Sequence, residues 1–158
     1  MRLWHYKLIP YLPRQQLLGQ WRECCLIAKN LTEHGTPNHI LVNPVINYPP
    51  VEFLAYWILV GKEMETRGIH VNQMLISSFQ PASVKVAYVF YIYPNVELFQ
   101  GWHNDRYLWQ CYYNLQEKYD RGGIPHDEWD TFERACYSTL LEYSGDVIED
   151  AYQNRLQK

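Results

Sequence analysis

The sequence predicts a mainly α, compact single-domain fold of four to five helices behind an irregular N-terminal arm. Three observations carry that expectation. Apolar residues recur at helical spacing in blocks that open near proline or Asn-Asp and close near glycine. No repeat, low-complexity tract or linker divides the 158 residues, a length suited to one domain. Only residues 84–93, β-branched and aromatic, read as a strand by propensity, so any β segment is expected to be short.

Residues 1–12 read as the arm, irregular or extended, closed by Pro10 and Pro13. Pro13 suits the first turn of a helix running to about Lys29. Its Leu17, Leu18, Trp21, Cys24, Cys25 and Ala28 share one broad face, the core side. Glu23 falls nearly opposite, beside Gln16, Gly19 and Gln20, and spacing alone reads it as a solvated helix residue. Gly19, one turn earlier, costs helix stability and leaves room for something to approach the carboxylate. Residues 30–50, rich in Asn, Pro and Gly, read as a loop whose His34 and His39 are surface residues rather than metal ligands.

Pro50 opens a second helix, about 51–67, ended by Gly68. It is apolar almost all round from Phe53 to Val60, hence the central, most buried element. A third helix runs from Asn104 or Asp105 to Tyr119, with Tyr107, Leu108, Cys111, Tyr112, Leu115 and Tyr119 on one face, until Arg121-Gly122-Gly123 breaks it. A fourth starts at Pro125, with Asp127 and Glu128 favourable in its first turn, and buries Trp129, Phe132, Cys136 and Leu140. A short fifth follows Ser144. Residues 1–120 thus form a helical domain, and 121–158 a helical C-terminal extension packed on it.

A net charge of −3 argues against indiscriminate nucleic-acid binding, which depends on Lys and Arg neutralising phosphates. The charge is uneven. Residues 1–44 carry five cations against two carboxylates, and the stretch from Pro125 carries three against eight. A basic front and an acidic tail suit a localised site for an anionic ligand. The 14 Tyr and 6 Trp make either a Tyr-rich core and rim or rings that stack on bases or a partner. Four cysteines without CxxC spacing give no zinc site, and Phe53 to Val60 is too short to span a bilayer. Lys7, Pro10 and Pro13 interrupt the one candidate secretory segment, so a reducing cytoplasm is the expected compartment. No Ser-His-Asp arrangement or phosphate-cradling Gly loop is present, and no cofactor, metal or membrane partner is expected.

The first 25 residues hold the distinctive chemistry. They combine an N-terminal α-amine, Arg2 and the helix-borne pair Arg22-Glu23. An α-amine has a reference pKa of about 7.7–8.0, so part of it is unprotonated near neutrality. An amine nucleophile beside a carboxylate is the minimum equipment for imine chemistry at an aldehyde or sugar carbon. His5 is close enough in sequence to join such a site, but Trp4-His5 could equally be packing.

The opening Met1-Arg2 and the helix Gln15 to Glu23 resemble the pyrimidine-dimer DNA glycosylases of the phage endonuclease V type. The likeness continues through Phe53 to Ile69 and, loosely, His103 to Lys118. It implies a compact, mostly α-helical DNA-repair enzyme that cuts the glycosidic bond at a pyrimidine dimer in double-stranded DNA, then nicks the abasic site by β-elimination. It further implies that the Met1 amine forms an imine at C1′, with Glu23 stabilising the cationic transition state and assisting proton transfers. Arg2 and Arg22 match arginines that hold DNA, and Arg14, Lys29 and Lys118 are further DNA-binding candidates. His5, Gln16 and Gly19 are candidate site neighbours. The chain departs from the family pattern in three places: Gln16 where a histidine is usual, Leu26 where a phosphate-binding arginine is usual, and the acidic stretch after Pro125. Bulky Arg2 predicts that Met1 is retained. A non-catalytic relative binding nucleic acid or protein on the same scaffold is the alternative, with the acidic C-terminal region as the surface for a protein partner. A third reading is an amine-dependent enzyme of free nucleotides or other aldehydes.

Overall fold

The computed structural model describes residues 1–79 and 97–144, the side chains of 138–144 excepted. Helices dominate: α1 (Arg14–His34), α2 (Pro50–Thr66), α3 (Gln73–Ser78), α4 (Asp105–Asp120) and α5 (His126–Ser144), with 3-10 helices at Tyr6–Tyr11 and Asn43–Asn47. The chain is mainly α, as its periodicity predicts, and no strand occurs among the described residues. The strand-like segment 84–93, Leu140's packing and the short helix after Ser144 lie outside what is described.

Helix α2 is the centre. Phe53, Leu54, Ala55, Tyr56, Trp57, Ile58, Val60 and Met64 are all buried, as an almost uniformly apolar helix requires. It packs against α1, where a side chain at Gly61 would stand 3.2 Å from the Trp21 ring, so a glycine there lets the two helices approach. Helix α1 runs one turn further than the expected end at Lys29 and stops at Gly35, whose φ of 70° gives it the left-handed cap that favours glycine. Its buried face is Leu17, Gln20, Trp21, Cys24, Ile27 and Ala28, while Leu18 and Cys25 are only partly covered. Helices α4 and α5 pair through Tyr112, Trp129 and Phe132, and α5 also lies against the 3-10 helix Tyr6–Tyr11.

The arm differs most from expectation. Residues 1–5 carry no regular structure, as expected, but the rest departs from that reading. Leu3, Leu8, Ile9 and Leu12 are fully buried, and Tyr6–Tyr11 is wound into a 3-10 helix. Burying a segment with so little regular hydrogen bonding demands partners for its main chain, and side chains supply them. The Gln20 side-chain oxygen accepts from Trp4 N at 3.0 Å, Tyr56 Oη donates to Trp4 O at 2.8 Å, and Tyr107 Oη donates to Leu3 O at 2.6 Å. The Arg67 guanidinium donates to Leu12 O and Pro10 O at 2.6 and 2.8 Å while paired with Glu63. These long-range bonds fix the entry of the chain, and therefore the position of its amine.

Candidate active site

Glu23 sits on α1 three residues after Gln20, hence on the same side of the helix. Gln20 holds the amide of residue 4 and Glu23 that of residue 2: Arg2 N donates to Glu23 Oε2 at 2.8 Å. Alternate residues of an extended chain present their amides to one side, so two acceptors at i and i+3 of a helix clamp such an arm along their length. The clamp brings the Met1 amine to 3.8 Å from Glu23 Oε1. One carboxylate oxygen is thus engaged in holding the arm, and the other faces the amine. The Glu23 side chain remains 32% exposed, so a solute can reach it.

Gly19 lies one turn before Glu23, and a Cβ there would meet nothing within 4 Å apart from its chain neighbours and the backbone of its own helix. Position 19 is open at its Cβ. On the other flank, the Arg2 side chain bonds Asn114 Oδ1 of α4 at 3.3 Å, and its guanidinium lies 5.7 Å from the centre of the Trp4 ring. It also lines a cavity of about 310 Å³ together with Trp102, Arg106, Tyr107 and Gln110. Lys118 is one turn beyond Asn114 on α4, exposed, on the side of that helix that Arg2 approaches.

The remaining candidates divide. Arg22 is exposed and shares a surface groove with Lys29, seven residues on and so nearly in line along the helix; Lys29 pairs with Glu33 at 3.9 Å. Arg14 begins α1, and its amide donates to Glu128 Oε2 at 2.6 Å, so its main chain is tied to the acidic helix α5. Gln16 is half-buried two turns before Glu23, and it is Gln20, not Gln16, that touches the arm. His5 is buried in the core. Its Nδ1 accepts from Lys7 N, leaving Nε2 to donate to His103 O at 2.9 Å, and its ring stacks on Tyr6 and His103. Burial holds the His5 pKa down at about 4 and that of His103 well below the usual range.

Sequence reasoning missed Gln20, Asn114 and Tyr107. For Gln20 a signal existed, since it stands three residues before the carboxylate. Asn114 and Tyr107 meet the arm from over 100 positions away and had none. The acidic residues of α5 are largely engaged within the fold: Glu128 caps α1, Glu133 accepts from Tyr112 Oη at 2.9 Å, and Asp130 pairs with Arg134. Among the described residues no group of three His, Cys, Asp or Glu could hold a metal ion, and no helix is long and apolar enough to cross a membrane.

Residues 1–77, from the amine through most of α3, match the family model described as pyrimidine dimer DNA glycosylase. No curated protein and no solved structure matches the chain.

Proposed function

We propose that this chain, which belongs to the pyrimidine dimer DNA glycosylase family through residues 1–77, excises pyrimidine dimers from double-stranded DNA and nicks the resulting abasic site, using the Met1 amine as nucleophile. The observation that supports this reading is the Glu23 carboxylate, bonded to Arg2 N at 2.8 Å and facing Met1 N at 3.8 Å.

The neutral amine donates its electron pair to C1′. The glycosidic bond breaks, and its electrons leave with the base, which takes up a proton. The amine gives up one of its two protons as the base leaves, and O4′ takes a proton from water as the sugar ring opens, which leaves one N–H on a protonated imine. Glu23 stabilises the positive charge on this path and accepts the C2′ proton. The electrons of that C–H bond form a C2′–C3′ double bond and expel the 3′ phosphate. Water then hydrolyses the imine and frees the amine. Arg2, Arg22, Arg14, Lys29 and Lys118 supply cations for the backbone. A bonded amide at residue 2 limits how far the amine can wander, the type of restraint that lowers a barrier by fixing reacting groups. No cofactor is required, and a cytoplasmic enzyme that retains Met1 fits the reading.

Borohydride reduction in the presence of dimer-containing or abasic duplex tests it. A protein–DNA adduct is expected whose linkage maps to the Met1 nitrogen by intact-mass and peptide analysis. Acetylating the N-terminus abolishes the adduct, and Glu23→Gln reduces nicking by at least about a hundredfold, the scale of a lost general base. No adduct, or nicking unchanged in Glu23→Gln, overturns the mechanism.

A further inference from the structure

Ile40 is 82% exposed and Leu41 45% exposed at the tip of the turn that follows α1, an unusual place for two large aliphatic side chains. The turn is pinned rather than loose. Asn43 Oδ1 accepts from His39 N at 2.9 Å, the amides of Val42 and Asn43 both return to His39 O, and Val42 and Val45 are buried beneath it. The same two residues form one wall of the 310 Å³ cavity beside Arg2, with Trp102, Arg106 and Gln110 on the others. Among the described residues, two guanidinium groups and no carboxylate line that cavity, a charge balance suited to phosphate. Arg2 connects this apolar tip to the site directly, because its own amide is the one bonded to Glu23.

We propose that Ile40 and Leu41 are an apolar wedge that enters the base stack of duplex DNA next to the nucleotide attacked by the amine, while Arg2 and Arg106 hold the flanking phosphates. The inference rests on the function proposed above. In a stacked duplex C1′ lies in the wall of a groove, and a Met1 side chain only 13% exposed belongs to an amine set into the protein surface. The two come together when the stack opens, and inserted aliphatic side chains favour opening by filling the gap that water would otherwise occupy. The pinned turn lets them enter without first ordering a loop.

The test pairs Ile40→Ser/Leu41→Ser with wild type on duplex and single-stranded oligonucleotides bearing the same abasic site. The expected result is a duplex-to-single-strand ratio of borohydride-trapping rates lowered about tenfold or more, since only the duplex has a stack to open. Thermal unfolding is expected to match wild type, because both side chains are on the surface. In a parallel binding assay, 2-aminopurine opposite the abasic site brightens with wild type and with Ile40→Phe, but not with the double variant. Equal losses on both substrates, or undiminished brightening with the double variant, overturn the wedge. If wild type traps no adduct, the imine mechanism fails on its own, and the 2-aminopurine signal still decides the wedge.

Discussion

Glu23 acts on two main-chain nitrogens, so its usefulness depends on how well a short arm is held, and that task falls to Gln20. Its amide is buried, accepts from Trp4 N and donates to Cys24 Sγ at 3.7 Å. Gln20→Leu leaves a buried N–H without its acceptor, at a cost of about 1–3 kcal/mol. It also frees the amine to shift, and displacements near 1 Å cost up to about a hundredfold in rate. We expect trapping to fall about tenfold or more while the chain still folds, measured by single-turnover kinetics beside thermal unfolding. Gly19 separates space from stability in the same region. Gly19→Ala is expected to raise helix stability by about 0.5–1 kcal/mol, since the position is open. Gly19→Leu should keep the fold and lose DNA trapping, because the larger side chain occupies the approach to the carboxylate. Trapping unimpaired in Gly19→Leu would show that DNA comes from another direction.

Among the elements, α1 carries the carboxylate, and its first turn is completed from outside. Pro13 provides no side-chain cap, and the amide of Arg14 instead donates to Glu128 of α5. A carboxylate at a helix N-terminus also meets the favourable end of the dipole. Glu128→Ala is expected to lower stability by about 1 kcal/mol with the trapping rate per folded molecule unchanged, read from denaturant unfolding alongside a trapping assay. Helix identity was legible in the sequence at this level, because 3.6-residue periodicity and terminal Pro, Asn and Gly act locally. Helix α3, six residues long, was too short for periodicity to mark. The end of α1 was misplaced because Asn30 looked like a loop start. In fact its side chain donates to Pro37 O, binding the next turn back onto the helix.

At the scale of the whole molecule, the His5–His103 pair predicts how stability depends on pH. In the unfolded chain a histidine takes up its proton near the ordinary value of 6.5, whereas buried His5 holds off until about 4. Between those values the unfolded state binds more protons, so stability is full above about pH 6.5 and falls as the pH drops towards 4. His5 alone accounts for a loss on the order of 3 kcal/mol, and His103 adds to it in the same direction. Thermal unfolding recorded from pH 7.5 down to 4 should show a falling midpoint across that window. A flat profile would contradict the buried neutral pair.

Residue type and short-range spacing sufficed to mark the longer helices, most of the apolar residues they bury, and an α-amine in the same short segment as Arg2, Arg22 and Glu23. Spacing alone read Glu23 as a solvated helix residue, and it left His5 open between site and packing. Where each of the two side chains stands depends on packing. His5 is bound by a carbonyl 98 positions away, and Glu23 meets the arm only because Gln20, Tyr56, Tyr107 and Arg67 hold that arm in the core. Those bonds join segments far apart in the chain, and their geometry exists only once the helices have packed.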